Sequence, residues 1–89
     1  MYIHNSVSMT ILTAMEQATL KALAEACDCS LSAHVPKEAV TSKFPKHLRG
    51  DAKKCLKKLK SKGYCYAHPT GRNTTYQLTH EGLNAARTF

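Results

Sequence analysis

Apolar and polar residues follow two different periods along this chain, and the place where the period changes divides it. Leu20, Leu23, Ala24 and Cys27 recur at i, i+3, i+4 and i+7 while Glu16, Lys21 and Glu25 fall elsewhere, which predicts an amphipathic helix with one buried stripe. Thr13 stands three residues before Glu16, the capping-box spacing that satisfies free N–H groups at a helix start, so this helix is expected over residues 13–26. Met9, Leu12 and Met15 extend the stripe upstream and leave its first turn open. Residues 28–34 carry no periodicity and read as a loop, with a short extended piece over residues 33–35. Pro36 suits the first turn of a second helix, because it has no N–H to leave unsatisfied. Pro45 keeps that helix short by disfavouring helical geometry at Phe44.

The 3.6-residue period is clearest from Leu48 or Asp51 to Lys62, where Ala52, Cys55, Leu56 and Leu59 form the apolar stripe. Gly63 stands where a left-handed residue ends a helix. Asp51 in the first turn and lysines in the last two follow the order that the helix dipole favours, so those lysines have a structural reason as well as a functional one. Beyond Gly63 the period becomes 2. Residues 64–68 and 74–78 are rich in Tyr and Thr and flank Pro69, Gly71 and Asn73, which predicts a β-hairpin with a loop of about five residues. Thr79 can cap a last helix through Glu81, Leu83, Ala85 and Ala86, with Gly82 weakening it by ~1 kcal/mol.

Length and charge sharpen this picture. With 89 residues there is room for one domain, residues 1–89 with a core over about 12–89, and no room for a deep closed substrate cavity. A hydrophobic content of 43% excludes a disordered tail, and no apolar run approaches the ~18 residues of a membrane span. Residues 1–5 lack a charged start followed by an apolar stretch, so no secretory signal is read and a cytoplasmic location is expected. The formal charge is +7, but residues 37–72 hold eleven basic side chains against two acidic ones, a local +9 that leaves −2 for the remainder. Such a one-sided field attracts polyanions, and nucleic acid leads the expected partners.

Three helices, a hairpin and a closing helix, with Leu-Lys-Lys-Leu-Lys-Ser-Lys-Gly-Tyr at residues 56–64 and Tyr-Gln-Leu-Thr-His-Glu-Gly at residues 76–82, resemble a winged helix-turn-helix domain of the kind found in bacterial and archaeal transcription regulators. The resemblance covers about residues 12–89. It implies an α+β, mainly helical fold with a three-helix core, a β-hairpin wing and a C-terminal helix. It also implies that the third helix, residues 51–62, enters the major groove of double-stranded DNA while the wing, residues 69–73, reaches the backbone or the minor groove. Carried over by position, Lys46, His47, Arg49, Lys53, Lys54 and Lys57 lie on or near the recognition surface, and Lys58, Lys60, Lys62 and Arg72 touch backbone or minor groove. Six of the seven basic residues from Arg49 to Lys62 are lysines, point charges suited to phosphate rather than to base edges. Affinity is therefore expected to rest on phosphate, with modest sequence preference from Arg49, His47, Arg72 and Asn73, in a small transcription regulator or chromosome-associated protein of the nucleoid.

Blander readings stand beside these. A lysine run is also what a solvated helix face looks like, and some winged helices bind protein or RNA instead, so a protein-interaction module or RNA-binding adaptor is the alternative function. Cys27-x-Cys29 and Cys65-x-x-His68 could supply four zinc ligands, but one intervening residue is too few for an ordinary knuckle. Cys27, Cys29, Cys55 and Cys65 are read instead as reduced thiols, with a disulfide expected only in an oxidising or hyperthermophilic setting. No metal, cofactor or small-molecule substrate is expected. Tyr64, Tyr66 and Tyr76 could stack bases, yet packing is the simpler role; Tyr64 is expected to be buried, and Tyr66 is the stacking candidate. His68 beside Pro69 could sit near a phosphate. No catalytic carboxylate pair, phosphate loop or Cys/His set is present, so no enzyme activity is expected. A homodimer would use the first helix with residues 1–12, or the last helix ending in Phe89.

Overall fold

The computed structural model describes residues 11–88; Met9 and most of the candidate dimer segment at residues 1–12, together with Phe89, lie outside the described residues. Among the described residues, four α-helices and a three-stranded antiparallel sheet make an α+β fold. In chain order they are α1 (Ala14–Ala26), β1 (Val35–Pro36), α2 (Lys37–Thr41), a 3₁₀ turn (Lys46–Leu48), α3 (Arg49–Ser61), β2 (Cys65–Pro69), β3 (Thr74–Leu78) and α4 (His80–Thr88).

Helix α1 starts at the expected box: Thr13 Oγ1 accepts the Glu16 N–H at 3.1 Å, and the Thr13 N–H donates to Glu16 Oε1 at 2.8 Å. Both long helices end in the same left-handed cap. After α3, Gly63 at φ 85° lets the Tyr64 N–H reach Leu59 O and its own N–H reach Lys60 O. After α1 the same two bonds run from Cys29 to Ala24 O and from Asp28 to Glu25 O, but Asp28 and Cys29 adopt φ 53° and 56° without being glycine.

Pro36 departs from the expected role. It lies in extended backbone at the end of β1 and faces Thr75 of β3, with α2 beginning one residue later at Lys37. The expected extended piece at residues 33–35 is thus a real strand, placed at Val35–Pro36, and it makes β3 central in the order β1-β3-β2. The hairpin register pairs Cys65 with Leu78 and Pro69 with Thr74, so Pro69 belongs to β2 and the connecting loop is one residue shorter than expected. Asn73 O closes that loop by accepting from the Thr70 N–H and Oγ1, and Gly71 supplies a positive φ of 21°.

Leu20, Leu23, Ala24 and Cys27 of the α1 stripe and Ala52, Cys55, Leu56 and Leu59 of α3 are all buried, and the α1 residues with Leu56 and Leu59 join Val40, Cys65, Tyr76, Leu78, Leu83 and Ala86 in one cluster. Fully burying a leucine contributes about 1.5–3 kcal/mol, so Leu20, Leu23, Leu56, Leu59 and Leu78 carry much of the fold. Tyr64 is only partly buried, because it follows the turn at the rim of this cluster. Thr79 caps α4 as expected: its hydroxyl accepts the Gly82 N–H at 3.0 Å and donates to Gly63 O at 2.7 Å. Gly82 is more than a weak helix former. A Cβ built there would collide with the Tyr64 carbonyl, so glycine lets α4 cross directly over the α3–β2 junction. Among the described residues no helix is long and apolar enough to cross a membrane.

Candidate nucleic-acid interface

The lysines of α3 do not share one environment. Successive residues of a helix turn by about 100°, which sets Lys53, Lys57 and Lys60 on the flank of the buried stripe opposite the flank of Lys58 and Lys62. Lys53, Lys54 and Lys57 line a groove of about 490 Å³ together with Gly50, Lys37 at the start of α2, and Thr74 and Tyr76 of β3. Lys57 and Lys60 continue it along the hairpin, past Ala67, Pro69, Thr74 and Tyr76. Four lysines therefore line one groove where α2, α3 and β3 meet. Burial pushes the Tyr76 hydroxyl up, with the nearby Cys65 adding to the rise.

Lys62 is removed from the expected surface. Its ammonium donates to both carboxylate oxygens of Glu16, at 3.1 and 3.0 Å, and Glu16 is itself buried rather than on the solvent side of α1. Burial pushes the Glu16 carboxyl up, but the Thr13 N–H and Lys62 outweigh it and hold the carboxyl below its ordinary value. The lysine charge on that side serves the α1–α3 packing.

The remaining expected residues frame the groove without lining it. Lys46 and His47 are exposed in the 3₁₀ turn that leads into α3. Arg49 opens α3, and its Nε–H is committed to Phe44 O at 3.1 Å, which ties the turn to the helix and leaves the terminal guanidinium nitrogens outward. Arg72 and Asn73 are exposed in the hairpin loop. Lys58 is exposed on the flank away from the hairpin. Sequence reasoning counted Lys37 in the basic segment but gave it no place at the site. The signal was Pro36: read as strand rather than as helix, it brings Lys37 beside β3.

Cys27 lies near both Cys29 and Cys65, and Cys55 stands apart on α3. Burial pushes the thiols of Cys27 and Cys55 up and that of Cys65 up to about 12, while Cys29 is exposed in the turn after α1. Among the described residues no group of three or more His, Cys, Asp and Glu is placed to hold a metal ion. His68 lies on the outer sheet face rather than in the basic groove, where Gln77 Oε1 accepts from its Nε2 at 2.8 Å. No family model, curated protein or solved structure matches the chain.

Proposed function

We propose that this protein is a winged helix-turn-helix protein that binds double-stranded DNA through α3 and the groove beside its hairpin, as a small transcription regulator or chromosome-associated protein. The observation that carries this reading is the convergence of Lys37, Lys53, Lys54 and Lys57 on one groove at the junction of α2, α3 and β3. The succession of helix, short strand, two helices, hairpin and helix is consistent with it. Helix α3 spans about 20 Å, and its width suits the major groove of about 12 Å. Its lysines would neutralise phosphates on the two flanking strands, releasing counterions. The hairpin loop would place Arg72 and Asn73 against the neighbouring backbone or minor groove. Sequence preference would be modest and would come from His47, Arg72, Asn73 and the free end of Arg49, because lysine cannot bind a base edge bidentately.

A titration of duplex DNA at increasing salt tests this directly. The logarithm of affinity should fall against the logarithm of salt with a slope of about −0.9 for each phosphate neutralised, and replacing Lys53, Lys54 and Lys57 with alanine should remove detectable binding while the fold persists. A shallow slope, or unchanged affinity in the triple variant, would overturn the reading in favour of a protein partner.

A further inference from the structure

The alternation of the hairpin sends Cys65, Tyr76 and Leu78 into the core, and it sends Tyr66, His68, Thr75 and Gln77 to the opposite face of the sheet. Three rings gather on that outer face. Tyr66 is 55% exposed, its ring lies 6.2 Å from that of His68, and His68 stacks on His34 at 4.5 Å with an interplanar angle of 24°. The array is held in place by Gln77. Its Nε2 donates to Leu31 O at 2.7 Å, so its Oε1 is the acceptor for His68 Nε2–H, and this fixes the rotation and the tautomer of the imidazole. Alongside, a groove of about 410 Å³ follows β2 and is lined by Tyr66, His68 and Lys60, with Glu81 at α4. Lys60 also lines the basic groove on the other flank of β2, so it joins the two surfaces.

We propose that the outer sheet face is a stacking platform for unpaired nucleobases, by which the protein takes hold of a single-stranded extension leaving the duplex bound on α3. The inference rests on the DNA-binding reading above. Every base has a π-face, so stacking on an exposed tyrosine tolerates any sequence. Lys60 neutralises the phosphate entering the platform. Glu81 repels a backbone that strays toward α4 and so directs the strand across Tyr66 toward His68 and His34. Because Gln77 already holds His68 and His34 stacks on it, part of the platform's side-chain freedom is lost before bases stack.

The test uses the whole chain and fluorescence anisotropy with three labelled DNA probes: a blunt duplex, the same duplex with a single-stranded thymidine tail, and the same duplex with an abasic tail of equal length. The thymidine tail should tighten binding about tenfold over the blunt duplex, and the abasic tail, which carries the same phosphates, should add far less. Tyr66→Ala should remove the gain from thymidine and leave blunt-duplex affinity unchanged, whereas Tyr66→Phe should retain it. Equal gains from the thymidine and abasic tails overturn the platform while leaving duplex binding intact. A blunt duplex that does not bind overturns the DNA reading itself, and the platform with it. A sedimentation mass that falls in Tyr66→Ala assigns this face to a second copy of the chain and likewise overturns the proposal; an unchanged mass supports it.

Discussion

Glu16 occupies the third position of a helix start and also the buried end of an ion pair, and the two roles are coupled through one carboxylate. Losing Lys62 would leave that carboxylate buried with only the Thr13 N–H for company. Lys62→Met should therefore destabilise the protein by about 2 kcal/mol, read from denaturant midpoints, even though Lys62 is itself solvent-touched. The pH dependence has a definite sign. A carboxyl held below its ordinary value stabilises the fold above that ordinary value and loses the contribution as pH falls through its lowered one, so thermal stability should drop in acid. Glu16→Gln should flatten that drop; a variant whose acid transition matches the parent would show that other carboxyls govern it. The chain reveals Glu16 as a capping residue by its spacing from Thr13. It does not reveal the partner at Lys62, because 46 residues separate them and only the packing of α3 on α1 joins the two.

Elements are legible where a side chain carries the local signal and illegible where the backbone of another element does. The stripes of α1 and α3, the left-handed stop at Gly63 and the cap at Thr79 are written in residue type and spacing. Asp28 performs the same service as Gly63 without the glycine, and although Asp enters the left-handed region more readily than most residues, it announces the stop far less plainly than glycine. Pro36 fits a helix start and a strand end equally well, and its pairing with Thr75 decides between them. Gly82 inverts the usual expectation. Within an exposed helix, alanine in place of glycine gains up to about 1 kcal/mol, but here the added methyl meets the Tyr64 carbonyl. Gly82→Ala should instead lower stability by about 2 kcal/mol or more in thermal or denaturant unfolding, as α4 is forced off the α3–β2 junction. A neutral or stabilising result would mean that α4 can slide without loss.

At the scale of the molecule, the two flanks of α3 divide the labour of its lysines, and a matched pair of variants exposes the division. Lys57→Ala should weaken duplex binding and lower the salt slope by about 0.9, whereas Lys58→Ala, one residue along but on the other flank, should do appreciably less. Equal effects would mean that the polyanion spreads over the whole basic surface rather than following the groove. A count of charges along the chain could not have drawn that distinction, since the concentration of positive charge is legible in sequence but the helical phase of each lysine against the hairpin is not. The smallest strand makes the groove what it is. Val35 and Pro36 pair with Tyr76 and Thr75, and through those two residues the start of α2 is joined to the hairpin across from α3. The spacing between Lys37 and the α3 lysines is thus settled when the chain folds, like the gap of a calliper locked before it meets the object. On the DNA-binding reading proposed above, a ligand would need phosphates at the matching interval, and a polyanion of another pitch would find the same charges in the wrong places.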